Sequence, residues 1–366
     1  MRIGFFGGAF DPFHSEHKAI LTEAINELEL DKVVVYPSCN PPHKKCVTPF
    51  EYRLLLTKTE LADTERITVD DIENNGSLNP TYKIIPILKK KYPASEHFFI
   101  MGGDSILNFS KWINPELIAK EVTLVIGARA NSIETERAIK ETEKKYGAKT
   151  IMLTYVGKEV SSSLIRADIA FGQKPIGISD KTYEIVKENN LYSDYVELVK
   201  ELKTNISERT FEHVKRTVYY ALKLNTKLGV SFDKVFKASL LHDCAKHVHK
   251  EMDGVPPAVE HQFLGAEYAK NKYLIDDNEI IEAIEFHTTG KPEMTTLGKI
   301  VYCADMLEEG RSYIGVERLR EVIENDFEKG FVECVNASFK KLIEDNKPFH
   351  PLTKSCVEYY NKKDKC

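Results

Sequence analysis

The chain lacks the features that would place it in a membrane, in an oxidising compartment or on nucleic acid. No apolar run in its 366 residues approaches the roughly 20 residues needed to span a bilayer. Its seven cysteines include no Cys-x-x-Cys pair, and their scattered positions favour free thiols in a reducing compartment. A net charge of −5 gives no electrostatic reason to bind nucleic acid. We therefore expect a cytoplasmic protein without membrane or nucleic-acid partners.

Internal repeats, low-complexity segments and Gly/Ser-rich linkers are also missing, which argues against a solenoid or loosely tethered modules. Hydrophobic content of 42% and charged content of 29% are ordinary for a globular protein. A chain of this length is long for one domain. We expect two domains, residues 1–195 and 196–366, and the sequence leaves open whether two copies form a homodimer.

Short apolar runs alternate with amphipathic stretches in the first half of the chain. This alternation predicts an α/β domain, a Rossmann-like doubly wound parallel sheet with helices on its faces. The predicted strands are Arg2–Phe6, Lys32–Tyr36, Arg66–Val69, His97–Met101, Val122–Ile126 and Thr150–Leu153. The predicted helices between them are Lys18–Leu28, Pro49–Leu61, Tyr82–Lys91 and Ile133–Tyr146.

After about Tyr195 the strand pattern stops and helical periodicity takes over. The second half is therefore predicted to be an all-α domain. Its predicted helices are Glu197–Lys203, Glu208–Leu228, Phe232–His247, Gln262–Asn271, Asp277–His287, Thr296–Met306 and Asp326–Ile343.

A glycine-rich turn follows the first predicted strand. Gly7 and Gly8 permit a tight turn and a close approach of the backbone to a ligand. A helix begins near Ser15, and the free N–H groups and the dipole at its start favour a phosphate. His14 and His17 are three residues apart and therefore share one face of this helix start. The pair suits charge stabilisation on a polyphosphate, with a metal pair or unrelated surface histidines as the alternatives.

This turn closely resembles the H-x-G-H nucleotidylyltransferase superfamily, with Glu16 where that family usually has glycine. Three further motifs are similar to bacterial nicotinate-nucleotide adenylyltransferase, and the resemblance covers residues 1–192. They are Pro41-Pro42-His43-Lys44, Gly102-Gly103-Asp104-Ser105 with Trp112 downstream, and Ser161-Ser162-Ser163-Leu164-Ile165-Arg166. The resemblance implies transfer of AMP from ATP to nicotinate mononucleotide, with Mg²⁺ bound to the polyphosphate.

The resemblance also implies which residues bind each substrate. His14 and His17 are the expected catalytic pair on the ATP phosphates. The other expected ATP contacts are Gly7, Gly8, Phe10, Gly102, Asp104, Ser162, Ser163 and Arg166. The expected nicotinate-nucleotide contacts are Lys44, Thr81, Tyr82 and Trp112, and a core role for Trp112 is an equal alternative.

The expected substrate loop departs from the family pattern. The family usually has Ser-Tyr-Thr followed by Ile-Asp-Thr, whereas this chain has Thr81-Tyr82-Lys83-Ile84-Ile85-Pro86. Lys83 adds a cation and Ile85 removes a carboxylate. Because a cation attracts the carboxylate on the pyridine ring, we expect nicotinate mononucleotide to be preferred over its amide.

Histidines and aspartates are spread over the predicted helices of the second half. His242 and Asp243 are adjacent in an apolar helix, where burial is costly unless they are paired or bind metal. Imidazole and carboxylate ligands suit Fe, Mn or Zn, and two such ions can activate water to attack a phosphate. The full set of expected ligands is His213, His242, Asp243, His261, His287 and Asp305.

The order His, His-Asp, Asp is the ligand series of the HD phosphohydrolase superfamily. The runs His287-Thr288-Thr289-Gly290 and Ala304-Asp305-Met306-Leu307-Glu308 resemble a YqeK-type HD domain over residues 197–350, with Glu309 where proline is usual. The resemblance implies symmetrical hydrolysis of diadenosine tetraphosphate to two ADP at a di-iron centre, with Asp243 catalytic. Lys246 and Arg311 are expected to bind phosphate. Hydrolysis of another nucleotide phosphoester, such as an alarmone, and a nucleotide-sensing role are the alternatives.

Overall fold

The structure is a computed structural model that describes residues 1–41, 48–74, 79–127, 133–155 and 157–363. The chain separates into two units, Met1–Ser193 and Asp194–Cys366. The first unit contains the sheet and the second is helical in the ranges described.

Six parallel strands form the sheet of the first unit, in the order β3-β2-β1-β4-β5-β6. The predicted doubly wound α/β fold is confirmed, and each predicted strand is present with its ends shifted by at most two residues. The central strands are almost wholly buried because apolar clusters cover both sheet faces. The strands are β1 Arg2–Gly8, β2 Lys32–Pro37, β3 Ile67–Val69, β4 Glu96–Gly102, β5 Thr123–Gly127 and β6 Thr150–Met152.

The helices of the first unit connect these strands and follow them. The sequence pattern missed four of them, α4, α5, α7 and α8, of which α4 and α5 are only five and seven residues long, although the Ser161–Arg166 motif was expected to open a late helix, as α7 does. The helices are α1 Ser15–Glu27, α2 Phe50–Glu60, α3 Thr81–Lys91, α4 Gly103–Leu107, α5 Pro115–Glu121, α6 Ile133–Tyr146, α7 Ser162–Ala170 and α8 Asp180–Glu188, with one 3₁₀ turn at Phe109–Lys111.

The strand order reverses between β1 and β4, and in open α/β sheets ligands bind in the crevice at such a point. Gly7 and Gly8 end β1 there, beside Gly102 at the end of β4. The space next to both β1 glycines is taken by aromatic rings. A Cβ on Gly7 would lie 2.5 Å from Tyr36 Cζ, and one on Gly8 would lie 2.6 Å from Phe10 Cε1. The two glycines therefore let aromatic side chains close over the end of β1.

The second unit consists of helices in its described part, as predicted for this half. No helix in the described ranges of the chain is long and apolar enough to cross a membrane. Two helices, α15 and α17, were not predicted. The helices are α9 Val196–Asn205, α10 Glu208–Leu224, α11 Phe232–Leu241, α12 Glu260–Asn271, α13 Asn278–Glu285, α14 Thr296–Leu307, α15 Val316–Asn325, α16 Phe327–Glu344 and α17 Pro351–Lys363, with a 3₁₀ turn at Pro257–Val259.

Three helices of this unit, α10, α11 and α13, end earlier than predicted, and the last two end next to expected metal ligands. The prediction that His242 and Asp243 lie within a helix is wrong, because α11 ends at Leu241 and a series of turns follows. In the same way α13 ends at Glu285, before His287. The ring nitrogens Nδ1 of both histidines bond to a carbonyl three residues back, Ser239 O and Ile284 O. Such side-chain bonds compete with the backbone bonds that would continue a helix.

We expect Gly7→Ala to destabilise the first unit. The added methyl would overlap the Tyr36 ring, which is 2% exposed and cannot move into solvent. Overpacking of this kind costs about 1–3 kcal/mol. Urea unfolding followed by fluorescence of Trp112, the only tryptophan in the chain, measures this unit. The double variant Gly7→Ala/Tyr36→Leu should recover most of the loss, and equal stability of Gly7→Ala and the parent would contradict the packing argument.

Candidate active sites

His14 and His17 stand together at the start of α1. His14 is the residue that precedes the helix, and its backbone is extended. Its N–H donates to His17 Nδ1 at 3.2 Å, and the two rings stack with centroids 3.7 Å apart. A backbone N–H can only donate, so His17 Nδ1 must accept and neutral His17 carries its proton on Nε2. The structure thus brings the predicted pair together and leaves His17 with an N–H donor at Nε2.

Three phenylalanines surround His17. Its ring centroid lies 5.9 Å from that of Phe6, 5.1 Å from Phe10 and 5.0 Å from Phe13. All three phenylalanine rings are buried. Packing on several sides restricts the ring of His17 to one orientation, which is what a residue that must meet a phosphate requires.

The start of α7 lies against the turn between β1 and α1. Ser162 Oγ donates to Pro12 O at 2.9 Å, and Arg166 Nη1 donates to Asp11 O at 2.5 Å. Arg166 Nη2 also donates to Ser163 Oγ at 3.3 Å. The structure therefore groups Ser162, Ser163 and Arg166 beside the histidine pair. The serine that caps α7 is Ser161, whose Oγ accepts from Leu164 N.

Other predicted contacts lie on the segments that follow β3 and β4 in the chain. Asp104 is exposed in the first turn of α4, directly after Gly102. Thr81 and Tyr82 begin α3 and are partly buried. Trp112 is also partly buried and packs edge-on against Phe99 with centroids 6.0 Å apart, so it contributes to the core on one side. Lys44 lies outside the described residues.

Glu16, the departure from the family glycine, points away from the histidine pair. Its Oε2 accepts from the backbone N–H of Lys158 at 2.6 Å and from the hydroxyl of Tyr155. The side chain is 9% exposed. The carboxylate at this position is therefore held by hydrogen bonds to the segment that precedes α7, and it does not face the expected phosphate site.

A buried arginine that sequence reasoning missed holds the glycine-rich turn. Arg53 on α2 is 1% exposed, and its guanidinium donates to four backbone carbonyls. The acceptors are Ala9 O at 2.5 Å, Ser38 O at 2.7 Å, Thr48 O at 3.1 Å and Cys39 O at 3.1 Å. A motif search could not find this residue, because nothing near Arg53 in sequence marks it.

Glu73 is a second missed residue next to the same turn. It is 2% exposed, and it accepts from Cys39 N at 3.2 Å and from Ser38 Oγ at 3.3 Å. Burial raises the pKa of Glu73 to about 7, although these hydrogen bonds and the charge on Arg53 oppose the shift. The carboxyl group therefore changes charge near neutral pH within the structure that shapes the crevice.

Glu73 should make the first unit less stable as pH rises. Its pKa is near 4.5 when exposed and about 7 when folded, so its stabilising effect is full below 4.5 and is lost as pH rises through 7. Glu73→Gln should remove this dependence, a difference on the order of 2 kcal/mol between about pH 5.5 and about pH 8. Urea unfolding followed by Trp112 fluorescence measures it, with the exposed Glu51→Gln as control. Parallel pH profiles of Glu73→Gln and the parent would contradict the raised pKa.

The six expected metal ligands of the second unit converge on one place. His213 lies on α10, Asp305 lies on α14, and His261 lies in the first turn of α12. The remaining three follow the early ends of α11 and α13. His242, Asp243 and His287 are each at most 3% exposed.

Within the described residues the ligand atoms form two groups, each within 4.8 Å, that share His242. The first contains His213, His242 and Asp305, where His213 Nε2 lies 2.9 Å from Asp305 Oδ1 and 3.3 Å from His242 Nε2. The second contains His242, Asp243 and His287. His261 Nε2 joins it, 3.3 Å from Asp243 Oδ1 and 3.2 Å from His287 Nε2.

Asp243 lies between the two groups. Its Oδ2 is 3.8 Å from His213 Nε2 and 3.7 Å from His242 Nε2. Its Oδ1 is 3.3 Å from His261 Nε2 and 3.5 Å from His287 Nε2. One carboxylate thus offers an oxygen to each group, which is the arrangement needed to bridge two ions.

Three of the imidazoles are fixed by an acceptor at Nδ1. His242 Nδ1 lies 2.7 Å from Ser239 O, and His287 Nδ1 lies 2.7 Å from Ile284 O. His213 Nδ1 lies 3.1 Å from the carboxylate of Glu308. Carbonyls and carboxylates only accept, so Nδ1 carries a proton in each ring and Nε2 is the atom available to a metal. The donor set therefore fits two divalent ions of the Fe, Mn or Zn type.

Burial and the neighbouring charged groups shift the pKa values of these side chains in opposite directions. Burial lowers the pKa of His242 to about 4 and that of His261 to about 3. Burial also opposes the charged form of His213, but its bonds to Asp305 and Glu308 outweigh burial and raise its pKa to about 9. Burial opposes ionisation of Asp243, and the neighbouring His242 and His287 hold its pKa well below the ordinary range nonetheless.

Glu308 orients His213, although sequence reasoning gave it no such role. It is 2% exposed and also accepts from Arg216 Nε at 2.5 Å and Gly310 N at 2.6 Å. Arg216 is three residues after His213 on α10, so the two share a face, and this spacing was a usable signal.

The two expected phosphate-binding residues lie against the ligands. Arg311 Nη2 is 2.6 Å from Asp305 Oδ1, and Lys246 Nζ is 3.3 Å from Asp243 Oδ1 and 3.0 Å from His261 Nε2. A cleft of about 190 Å³ opens beside Arg311. Its lining is His287, Thr288, Tyr302, Asp305, Met306, Arg311, Tyr313 and Ser338.

Comparison with known families assigns each half separately. The family model described as cytidylyltransferase-like matches residues 5–168. The family model described as HD domain matches residues 210–310. The two matches do not overlap, and each covers the candidate site of its own half.

Curated relatives match about half of this chain and nearly their own full length. A probable nicotinate-nucleotide adenylyltransferase from Clostridium tetani is 34% identical over 194 residues, covering 51% of this chain and 96% of the relative. The probable nicotinate-nucleotide adenylyltransferase from Clostridium novyi is 35% identical, and the match covers 52% of this chain and 98% of the relative. The crystal structure of a predicted HD superfamily hydrolase involved in NAD metabolism from Clostridium acetobutylicum is 28% identical, with a TM-score of 0.43, and covers 46% of this chain and 98% of that one.

Proposed function

Since the chain belongs to the nicotinate-nucleotide adenylyltransferase family through its N-terminal half, we propose that this half transfers AMP from ATP to nicotinate mononucleotide. The products are nicotinate adenine dinucleotide and pyrophosphate. The observation that carries the proposal is the group of His14, His17, Ser162, Ser163 and Arg166 at two helix starts beside the β1–β4 crevice. Helix starts and cationic side chains are suited to a polyphosphate.

In the proposed reaction a 5′-phosphate oxygen of nicotinate mononucleotide attacks the α-phosphorus of ATP. The bond from the α-phosphorus to the oxygen that bridges the α- and β-phosphates breaks, and pyrophosphate leaves with Mg²⁺. No protein nucleophile is needed, because positioning and charge neutralisation supply most of the acceleration in phosphoryl-type transfer. His17 donates its Nε2–H to the phosphates, while Arg166 and Ser163 hold the leaving pyrophosphate.

The acceptor is proposed to bind near the start of α3. Thr81 and Tyr82 begin that helix, and Trp112 packs against the same apolar cluster as Tyr82. Lys83 is exposed, with Nζ 5.9 Å from the Tyr82 ring centroid. A cation beside an aromatic ring suits a pyridine that carries a carboxylate, which supports a preference for the acid over the amide.

His17→Ala should lower kcat/KM for ATP and nicotinate mononucleotide by about 10²–10³-fold, as loss of one preorganised donor to developing charge does. Pyrophosphate release measures the rate. Asn26→Ala on the exposed side of α1 is the control and should be close to the parent. In the same assay the parent should use nicotinamide mononucleotide less well than the acid. A His17→Ala rate near that of the parent, or equal kcat/KM for the two acceptors, would contradict the respective assignment.

For the C-terminal half, which matches the HD domain family, we propose hydrolysis of diadenosine tetraphosphate to two ADP at a two-metal centre. The observation that carries this proposal is Asp243, which presents one oxygen to each of two groups of ligand atoms. Iron is the proposed metal, with Mn and Zn as alternatives for the same ligands. The first half supplies a reason for the substrate, because ATP in place of nicotinate mononucleotide as acceptor would give diadenosine tetraphosphate.

When bound, two ions would lower the pKa of water and neutralise phosphate charge. Water attacks an inner phosphorus, the bond to the central bridging oxygen breaks, and both fragments leave as ADP. Asp243 and His242 would hold the ions, and Arg311 and Lys246 bind the phosphates on either side of the broken bond. The cleft beside Tyr313 and Met306 opens next to the ligands His287 and Asp305.

Purified metal-replete protein should convert diadenosine tetraphosphate to ADP alone, as chromatography of the products would show. His242→Ala and Asp243→Ala should abolish the reaction, because both remove ligands. His17→Ala is the matched control and should leave it unchanged. ATP plus AMP as products would contradict symmetrical cleavage. Two bound metals without turnover would favour another nucleotide phosphoester or a sensing role.

A further inference from the structure

Gln262 connects the segments that carry two of the metal ligands. It follows His261 in the first turn of α12 and is fully buried at 0% exposure. Neighbouring residues of a helix point about 100° apart, so the Gln262 side chain is directed away from the ligand cluster. It reaches the turn formed by His287, Thr288 and Thr289.

The amide group of Gln262 bonds to both the backbone and a side chain of this turn. Gln262 Oε1 accepts from Thr288 N and from Thr289 N, both at 3.1 Å. Its Nε2 donates to Thr289 Oγ1 at 3.0 Å, and that hydroxyl donates onward to Gly290 O at 3.0 Å. Two backbone donors fix the oxygen of the amide toward them, so the orientation of the side chain is determined.

The turn needs such a connection because α13 ends at Glu285, before His287. His287 Nδ1 bonds back to Ile284 O, which sets the ring but not its distance from α12. The Gln262 bonds join this turn directly to α12, and His261 Nε2 and His287 Nε2 lie 3.2 Å apart. The same turn places Thr288 Oγ1 3.2 Å from His261 Nε2.

We propose that Gln262 is a positioning residue for one of the two metal positions, the one formed by Asp243, His261 and His287. This inference rests on the proposed two-metal centre. The other position, formed by His213, His242 and Asp305, is oriented independently by Glu308 and Arg216. Loss of the Gln262 bonds therefore weakens the binding of one ion and leaves the binding of the other unchanged.

The test is a cobalt(II) titration of metal-free full-length protein, followed by calorimetry and by the visible absorption of the bound ion. The variant Gln262→Met keeps the size of the side chain and removes its hydrogen bonds. Loss of a residue that orients metal ligands weakens metal binding by about 10–100-fold. We expect Gln262→Met to bind one Co²⁺ within about twofold of the parent affinity and the second about 10–100-fold more weakly.

Three further variants separate positioning from general loss of structure. Asn225→Leu removes another amide that bridges a turn of this unit, where Asn225 bonds to Val230 N and O. It should leave both metal affinities unchanged. His261→Ala should lose the same ion that Gln262→Met weakens. Thr289→Val removes the hydroxyl and its bonds to Gln262 Nε2 and Gly290 O, and it keeps the two backbone bonds to Gln262 Oε1. It should therefore weaken the ion less, and it keeps the test available if Gln262→Met does not fold.

Parent affinity for both ions in Gln262→Met and Thr289→Val would overturn the inference, as would equal weakening of both ions. Fewer than two ions bound by the parent would overturn the two-metal centre itself. The failure of the inference and that of the proposed function are thus distinguishable.

Discussion

The hydrogen bond at Nδ1 decides what each histidine of the two candidate sites can offer at Nε2. His17 accepts from a backbone N–H at Nδ1, so its Nε2 carries a proton and can donate to a phosphate. His242 and His287 donate from Nδ1 to backbone carbonyls, so their Nε2 atoms carry lone pairs and can ligate a metal. The same side chain thus serves two opposite purposes, and the local backbone selects which one.

In both halves the backbone groups that select the tautomer lie where a helix begins or ends. His17 lies in the first turn of α1, and its Nδ1 bonds to the residue that precedes the helix. His242 and His287 each lie just after a helix and bond back to a carbonyl of its last turn. Helix termini leave backbone groups without intrahelical partners, and these sites use such groups to hold imidazoles.

The sequence predicted the six strands, most helices, the His14–His17 pair and the six histidines and aspartates that converge in the second unit. The strands were predictable because a sheet buried on both faces requires continuous apolar runs. The ends of α11 and α13 were not predictable, because the apolar pattern continues past Leu241 and Glu285. Both helices stop where a histidine side chain bonds to a backbone carbonyl. Arg53, Glu73 and Gln262 were missed because their roles depend on backbone groups that are distant in sequence.

Nitrogen-15 NMR of histidine-labelled, metal-free protein at about pH 8 tests these tautomers directly, because the ring nitrogen shifts report which atom carries the proton. We expect an Nε2–H tautomer for His17 and Nδ1–H tautomers for His242 and His287, each assigned by its alanine variant. An Nδ1–H tautomer at His17, or Nε2–H tautomers at His242 and His287, would contradict this expectation.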